Sequence, residues 1–535
     1  MTGKLFYGDN LDILRNSIAD ESVDLVYLDP PFNSNASYNV LFKAPDGHES
    51  HAQMEAFDDT WHWTDVAERA FDEVMHSGNT DAAEMLRAMR SFLKENDMMA
   101  YLAMMAVRLI ELHRVLKKTG SLYLHCDPTA SHYLKILIDA IFRPEMFLNE
   151  VIWKRTSAHS SAKRFGPVHD TIFFYAKSKT YTWNQQYEPY EPQYLETFFD
   201  QQDADGRWWK RMDLTGAGTR RGETGKPWRG IDVTAKGRHW AYPPSELDKL
   251  DNAGRIHWPK KEGGMPRLKQ YPEDLPGVPL QDVIAGIKPM HNLSSERLGY
   301  ATQKPQALLE RLLSASSNEG DVVLDPFCGC GTTVHAAQKL NREWIGIDVT
   351  HLAISLIQKR LRDAFGPSIA IEVNGVPKDI GGAEALAEAD KYQFQWWAVS
   401  LVDAIPFGDK KKGADGGIDG LIYFKPDGKA TEKAIVSVKG GRNVGVTMVK
   451  DLIATVEREK AKMGIFITLA PPTGPMIKEA ASAGFYKTDH GSYPKIQILT
   501  IEQLFEGHKP HMPWIDPTVF RKAKKEDTSK QHKLL

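Results

Sequence analysis

Two stretches of the chain carry residue types and spacings that can do chemistry. In the first, VDLVYLDPPFNSN (residues 23 to 35), an apolar run with β-branched and aromatic content leads directly into Asp29, Pro30, Pro31 and Phe32. Consecutive prolines cannot donate to a sheet ladder, and each holds φ at about −65°. The acid, its neighbouring carbonyl oxygens and the ring are therefore presented stiffly at the carboxyl end of a strand, where open α/β sheets bind ligands. In the second, VVLDPFCGCGTTVHAA sets Gly329 and Gly331 in a turn between a strand and a helix, a geometry that lets backbone approach a ligand closely. Val334 replaces the third glycine of a dinucleotide fingerprint, and no G-K-[ST] follows for a phosphate loop. Seventeen residues beyond Gly331, Asp348 ends the next strand, where an acid can hold two ribose hydroxyls. A nucleoside ligand without a pyrophosphate fits this set. Cys328 and Cys330, with no second pair, make a poor zinc site and read as small packing residues.

The elements that must position these groups alternate as strands and helices. KLFYGDN, VDLVYLDPP, GSLYLHCD, NEVIWKR, DTIFFYAKS, DVVLDPF and EWIGIDVT read as strands; MMAYLAMMAVRLIELHRVLKK, ASHYLKILIDAIF, TQKPQALLERLLSASS, TTVHAAQKL and HLAISLIQKRLRDAF read as helices. This is the rhythm of a mostly parallel α/β sheet. The expected organisation is a first catalytic part over 1–180 with a helical insertion at about 42–90. A variable region follows over 181–290, and the ligand-binding part occupies 291–366. A linker at 367–384 then leads to a second α/β unit over 385–515 and a charged, disordered tail over 516–535.

Composition narrows the classes further. At 535 residues the chain is too long for one core. With 42% hydrophobic and 26% charged residues and no apolar run near eighteen residues, it reads as a globular protein without a membrane span. The amino terminus lacks a basic-then-apolar export signal and three cysteines make no disulfide framework, so a cytoplasmic location is expected. A net charge of −3 selects no partner by itself. Locally, however, residues 207 to 240 hold nine Lys or Arg against three acids, interleaved with Trp208, Trp209, Trp228 and Trp240.

Together LDPPF, TQKPQALLERLL and LDPFCGCGTT resemble the amino-methyltransferases of DNA, which use S-adenosylmethionine; FYGDN, GSLYLHCD and NEVIWKR are similar to their minor motifs. The order, catalytic motif first and cofactor motif last, resembles the β class and covers roughly residues 4 to 365. The resemblance implies a Rossmann-like S-adenosylmethionine-dependent sheet. It implies that Asp325, Phe327, Gly329, Gly331 and Thr332 line the cofactor pocket and that Asp348 takes the ribose. Thr302, Gln303 and Lys304 would lie at the methionine end and Asp9 near the adenine. It further implies that Asp29 and the Pro30 carbonyl accept the two amino hydrogens of a target base, drawing its nitrogen toward tetrahedral geometry. A base in a duplex must be flipped out to be reached, and Phe32 would stack on it. The D-P-P-F form points to adenine in double-stranded DNA, with the cytosine 4-amino group as the alternative. The 181–290 region takes the place of a target-recognition region, in which Arg220, Arg221, Lys226 and Arg229 are expected to meet phosphates.

KKKGADGGIDGLIYF followed by KAIVSVKGG resembles the Mrr-like restriction endonuclease domain of the PD-(D/E)XK fold. The resemblance implies that Asp419 and Lys439 belong to a Mg²⁺-dependent nuclease site, with Asp419 as metal ligand. It departs from the pattern at Ser437, where an acid or glutamine is usual, and at Gln393 and Gln395, where a helical Glu is common. Asp415 is a substitute ligand. A nuclease, and hence a bifunctional restriction-modification enzyme, and a DNA-binding or partner domain keeping only the fold both stay open. A homodimer or a restriction-modification partner is also expected.

Overall fold

The computed structural model describes residues 3–31, 37–43, 49–58, 62–156, 163, 165–261, 264–290, 296, 303–407, 417–427, 431–513 and 525–526, with backbone alone over 37–43 and 49–58. Phe32, Thr302 and Asp415 lie outside these residues, as does nearly all of the tail expected at 516–535.

Nine strands form one sheet in the order Val283–Ile284, Phe147–Lys154, His169–Ala176, Leu116–Cys126, Val23–Leu28, Val322–Asp325, Glu343–Asp348, Gly3–Tyr7, Ile371–Asn374. It is mostly parallel, with His169–Ala176 antiparallel to both neighbours. Val23–Leu28 is buried on both faces, as a central parallel strand must be: Val23, Val26 and Leu28 join one core, Leu25 and Tyr27 the other. The pairing that matters most joins residues some three hundred apart. Val323 and Leu324 lie parallel to Leu25 and Val26, so Asp29 and Asp325 emerge at the same end of adjacent strands. From Val23–Leu28 the next parallel strand, Leu116–Cys126, lies toward one edge; from Val322–Asp325 the next, Glu343–Asp348, lies toward the other. The two chain paths diverge there, which opens a crevice at the carboxyl ends.

Two expectations about organisation are corrected. The stretch from about 42 is not helical at its start: Ser37–Lys43 and Glu49–Asp58 pair as an antiparallel hairpin, and helices follow only at Asp65–His76 and Thr80–Leu93. The stretch expected as a linker at 367–384 contains Ile371–Asn374, which adds to the sheet parallel to Gly3–Tyr7, and the start of the helix Ile380–Ala389. Its apolar residues are few and flanked by Gly and Pro, so an edge strand was not legible there.

Residues 185–281 form a unit of their own. It holds a small antiparallel sheet ordered Ile256–His257, Arg267–Gln270, Trp208–Asp213, Gln201–Gln202. Its core gathers Leu214, Trp228, Val233, Trp240, Leu247 and Ile256. After the main sheet, a five-stranded sheet runs Ile405–Pro406, Gly420–Phe424, Glu432–Lys439, Met463–Thr468, Ile496–Thr500, with Val446–Arg458 packed on one face and Lys391–Ser400 on the other.

Candidate functional site

The crevice holds a cavity of about 240 Å³. Asp29 and Pro31 line it from one strand end, with Pro30 buried between them. Asp325, Phe327, Gly329 and Thr332 line it from the glycine turn, Asp348 from the following strand, and Asp9 and the adjacent pair Gln303 and Lys304 from two other approaches. The acid at position 29 and the glycine turn therefore open onto the same space.

Each group is held by its neighbours. Asp29 Oδ2 accepts from Lys304 Nζ at 2.5 Å, both side chains being largely buried. Gln303 donates through Nε2 to the Glu296 carbonyl at 2.7 Å. Asp348 accepts at Oδ2 from the Gly329 N–H at 2.9 Å, and at Oδ1 from the N–H and hydroxyl of Thr350 at 2.9 and 2.8 Å. Asp325 accepts from the Phe327 N–H at 3.0 Å. Burial pushes the Asp325 carboxyl up to about 7 and that of Asp348 up to about 6, against hydrogen bonds that pull the other way. Asp9 caps the helix Asn10–Ser17 and accepts both through Oδ1 and Oδ2 from Arg108 Nη2 at 3.1 Å.

Gly331 departs from expectation: it is not among the residues that line the cavity. It adopts φ +75°, and a Cβ there would lie 2.8 Å from Ile357 Cγ1. Its role is close helix packing behind the turn. Thr332 reaches the cavity, but its hydroxyl accepts from the buried Arg360 at 3.1 Å, and the same guanidinium donates to the Cys330 carbonyl at 3.1 Å. Cys328 and Cys330 are buried packing residues, their thiols pushed up by desolvation. Among the described residues no cluster of three or more metal-binding side chains is found.

Sequence reasoning missed Asn10, Tyr27 and Arg108, all of which line the cavity. Arg108 donates to Asn10 Oδ1 at 2.6 Å, and Asn10 Nδ2 donates to the Pro326 carbonyl at 2.8 Å, tying the cap of one helix to the glycine turn. A signal existed: Arg108 is the one charged residue between Asp97 and Glu111 on an otherwise apolar helix.

In the 185–281 unit, Arg220, Arg221, Lys226 and Arg229 are exposed. Lys226 pairs with Glu223, and Arg229 is turned back onto Asp251 at 2.9 Å, so Arg229 is engaged in its own unit. Trp209, Trp228 and Trp240 are core, whereas Trp208 is half exposed.

In the C-terminal unit, Asp419 is buried at the start of its strand and accepts the Val438 N–H at 2.7 Å, with Lys439 Nζ 3.9 Å away. Ser437 is buried beside them. Ser437 and Lys439 line a cleft shared with Asp451 and Arg458. Gln393 is 8% exposed and its Oε1 has no hydrogen bond among the described residues. Gln395 sits on the same helix.

Comparison with known proteins bears on both parts. A DNA methylase family model matches residues 23–359, and a restriction endonuclease model matches 386–506. The type II methyltransferase M.EcaI of Enterobacter cloacae is 36% identical over 269 residues, which cover 50% of this chain and 59% of that protein. The Mod subunit of the type III restriction-modification enzyme StyLTI of Salmonella typhimurium is 29% identical over 354 residues, covering 63% and 50%. The DNA adenine methyltransferase YhdJ of Escherichia coli is 24% identical over 359 residues, covering 67% and 82%. The chain thus spans half to three-fifths of the length of the first two relatives. A solved PvuII DNA methyltransferase, cytosine-N4-specific, aligns over 67% of this chain and 85% of its own at 13% identity and a TM-score of 0.32. No helix among the described residues is long and apolar enough to cross a membrane. With its motif-bearing loops gathered on one cavity and a family match running over more than half of its length, the chain belongs to the DNA methylase family.

Proposed function

We propose that the chain methylates the exocyclic amine of an adenine flipped out of double-stranded DNA, using S-adenosylmethionine. The observation that carries this reading is the convergence of Asp29 with the loops bearing Asp325 and Asp348 on one cavity, across neighbouring parallel strands. The donor set suits that cofactor. Asp348 offers a carboxylate, Phe327 a ring, and Gly329 an open backbone, and the turn lacks the lysine a phosphate loop needs. Asp9, Gln303, Lys304, Asp325, Phe327, Gly329, Thr332 and Asp348 would hold it. When bound, the cofactor supplies a sulfonium methyl group as electrophile. Lys304 occupies Oδ2 of Asp29, so Oδ1 is the oxygen that would accept the amine hydrogen, with the Pro30 carbonyl as the second acceptor. The lysine thereby also fixes the rotation of the carboxylate.

Arg220, Arg221 and Lys226 stand exposed on the 185–281 unit and would neutralise phosphates, giving salt-dependent affinity. The protein would work in the cytoplasm, where its DNA is. The test is nucleoside mass spectrometry of DNA incubated with the protein and S-adenosylmethionine. N6-methyladenine is expected, and it should vanish in Asp29→Ala. N4-methylcytosine as sole product would overturn the choice of base; no methylated base in any DNA would overturn the reading.

A second activity, Mg²⁺-dependent DNA cleavage by the C-terminal unit, is favoured by the approach of Lys439 to Asp419 and by the unpaired buried oxygen of Gln393. Plasmid incubation with Mg²⁺ or Mn²⁺ tests it: cleavage lost in Asp419→Ala or Lys439→Ala supports it, and intact plasmid, methylated or not, refutes it.

A further inference from the structure

Beneath Asp29 lies a buried polar chain that the reading above does not use. Tyr27, two residues upstream on the same strand, is 2% exposed and lines the cavity. Its hydroxyl lies 2.8 Å from His125 Nδ1 on the adjacent strand. His125 Nε2 lies 3.2 Å from Asp170 Oδ2 on the strand beyond, and Asp170 Oδ1 is 3.1 Å from the half-exposed Arg155 Nε. The chain therefore crosses three strands, from the cavity wall to a side chain that reaches solvent.

The protonation pattern follows from the partners. Burial acts to raise the Asp170 carboxyl. The His125 hydrogen bond and the charges of Lys304 and Arg155 nevertheless hold it below the ordinary carboxylate range. An ionised carboxylate only accepts, so Nε2 of His125 carries the hydrogen. In the neutral ring Nδ1 is then the acceptor, and the Tyr27 hydroxyl donates to it. Two lone pairs of the Tyr27 oxygen remain, on a residue that lines the cavity. The described groups facing His125 include Tyr27, Asp170 and the edge of Trp153, with Lys304 and Arg155 acting through Asp170.

We propose that Tyr27, His125 and Asp170 form a relay that removes the proton released by the target amine. This rests on the methyltransferase reading. As the amine nitrogen took the methyl group, the carbon–sulfur bond of the sulfonium donor would break with its electron pair going to sulfur, and one N–H bond would break with its pair staying on nitrogen. The proton joins the Tyr27 oxygen while the Tyr27 proton passes to His125 Nδ1. The imidazolium so formed is balanced by Asp170, and after turnover its Nδ1 proton returns through the Tyr27 oxygen to the emptied cavity and so to solvent. The carboxylate plays the part it plays in a Ser-His-Asp triad, fixing the tautomer and stabilising the cation. Tyr27 is the catalytic group; His125 and Asp170 are positioning residues that act through it.

Single-turnover methyl transfer, measured from pH 5.5 to 9 for the wild type, Tyr27→Phe and His125→Gln, tests the proposal alongside S-adenosylhomocysteine affinity. Both variants should bind the cofactor product within twofold of wild type. Transfer should slow by roughly 100-fold, the scale of general-base assistance. The shape of the pH profile should differ between His125→Gln and the wild type. ¹⁵N NMR of the free protein should show His125 protonated at Nε2 and bare at Nδ1. Wild-type rates with an unchanged pH profile, an Nδ1-protonated ring, or cofactor affinity falling in step with rate would each overturn the relay while leaving the methyltransferase reading intact. Absence of transfer by the wild type would overturn both.

Discussion

Replacing Asp348 with asparagine gives the most quantitative test of the cofactor site. A carboxylate offers about four acceptor positions. At least three are filled, by Gly329 N–H on Oδ2 and the N–H and hydroxyl of Thr350 on Oδ1, with the Val349 N–H a further donor. At most one position is left, so the acid should hold no more than one ribose hydroxyl rather than the two its place at a strand end suggests. A hydrogen bond to a charged acceptor contributes about 1.5–3 kcal/mol. Asp348→Asn should therefore weaken S-adenosylhomocysteine binding by roughly 10- to 150-fold. Isothermal titration calorimetry checks this, with the 2′-deoxy and 3′-deoxy analogues as probes. In the wild type one deletion should cost affinity and the other should not; in Asp348→Asn neither should matter. Binding needs the ionised carboxylate, whose free-site value stands at about 6, so affinity should fall as the pH drops through that value. The asparagine variant should lack this dependence. Equal losses from both hydroxyl deletions, or a variant that binds within twofold of wild type, would refute the assignment.

Other consequences are open to direct measurement. Gly331→Ala combines a positive φ with a Cβ 2.8 Å from Ile357, and should destabilise by about 2–4 kcal/mol in thermal or urea unfolding; an unchanged midpoint would contradict the packing role. Asp325 sits at about 7 folded against 3.8 unfolded, so the folded state binds more protons in that window. Its contribution to stability accordingly falls as pH rises from 4 toward 7, and Asp325→Asn should flatten that slope in the ligand-free protein. Glu526 accepts from His335 Nε2 and is held at about 2, below its usual 4.5. Its stabilising effect is present above the unfolded value and is lost as pH falls toward 2. Glu526→Gln should lower the melting temperature at pH 7, with the gap to wild type narrowing below pH 4.5. Neutralising Arg220 and Arg221 should weaken DNA binding at low salt with S-adenosylmethionine binding retained, as a gel-shift and calorimetry pair would show.

Local chemistry was legible wherever a residue's role depends on its immediate neighbours in the chain. The strand before Asp29, the stiff exit through Pro30 and Pro31, and the glycine turn before the helix Thr332–Lys339 all follow from period, proline geometry and glycine freedom. Burial of Cys328 and Cys330 was readable from the want of a second cysteine pair. What sequence could not supply was distance. Resemblance puts Lys304 at the methionine end of the cofactor, but its grip on Asp29 is visible only in the fold, and Arg108 reads as one charge on an apolar helix until it closes on Asp9 and Asn10. Gly331 reads as a ligand contact until Ile357 is seen behind it. The relay from Tyr27 to Asp170 spans three strands whose register only the sheet sets. The physical reason is common to all of these. Backbone propensities act over a few residues, whereas a site is made by side chains that the burial of two hydrophobic faces brings together from anywhere in the chain.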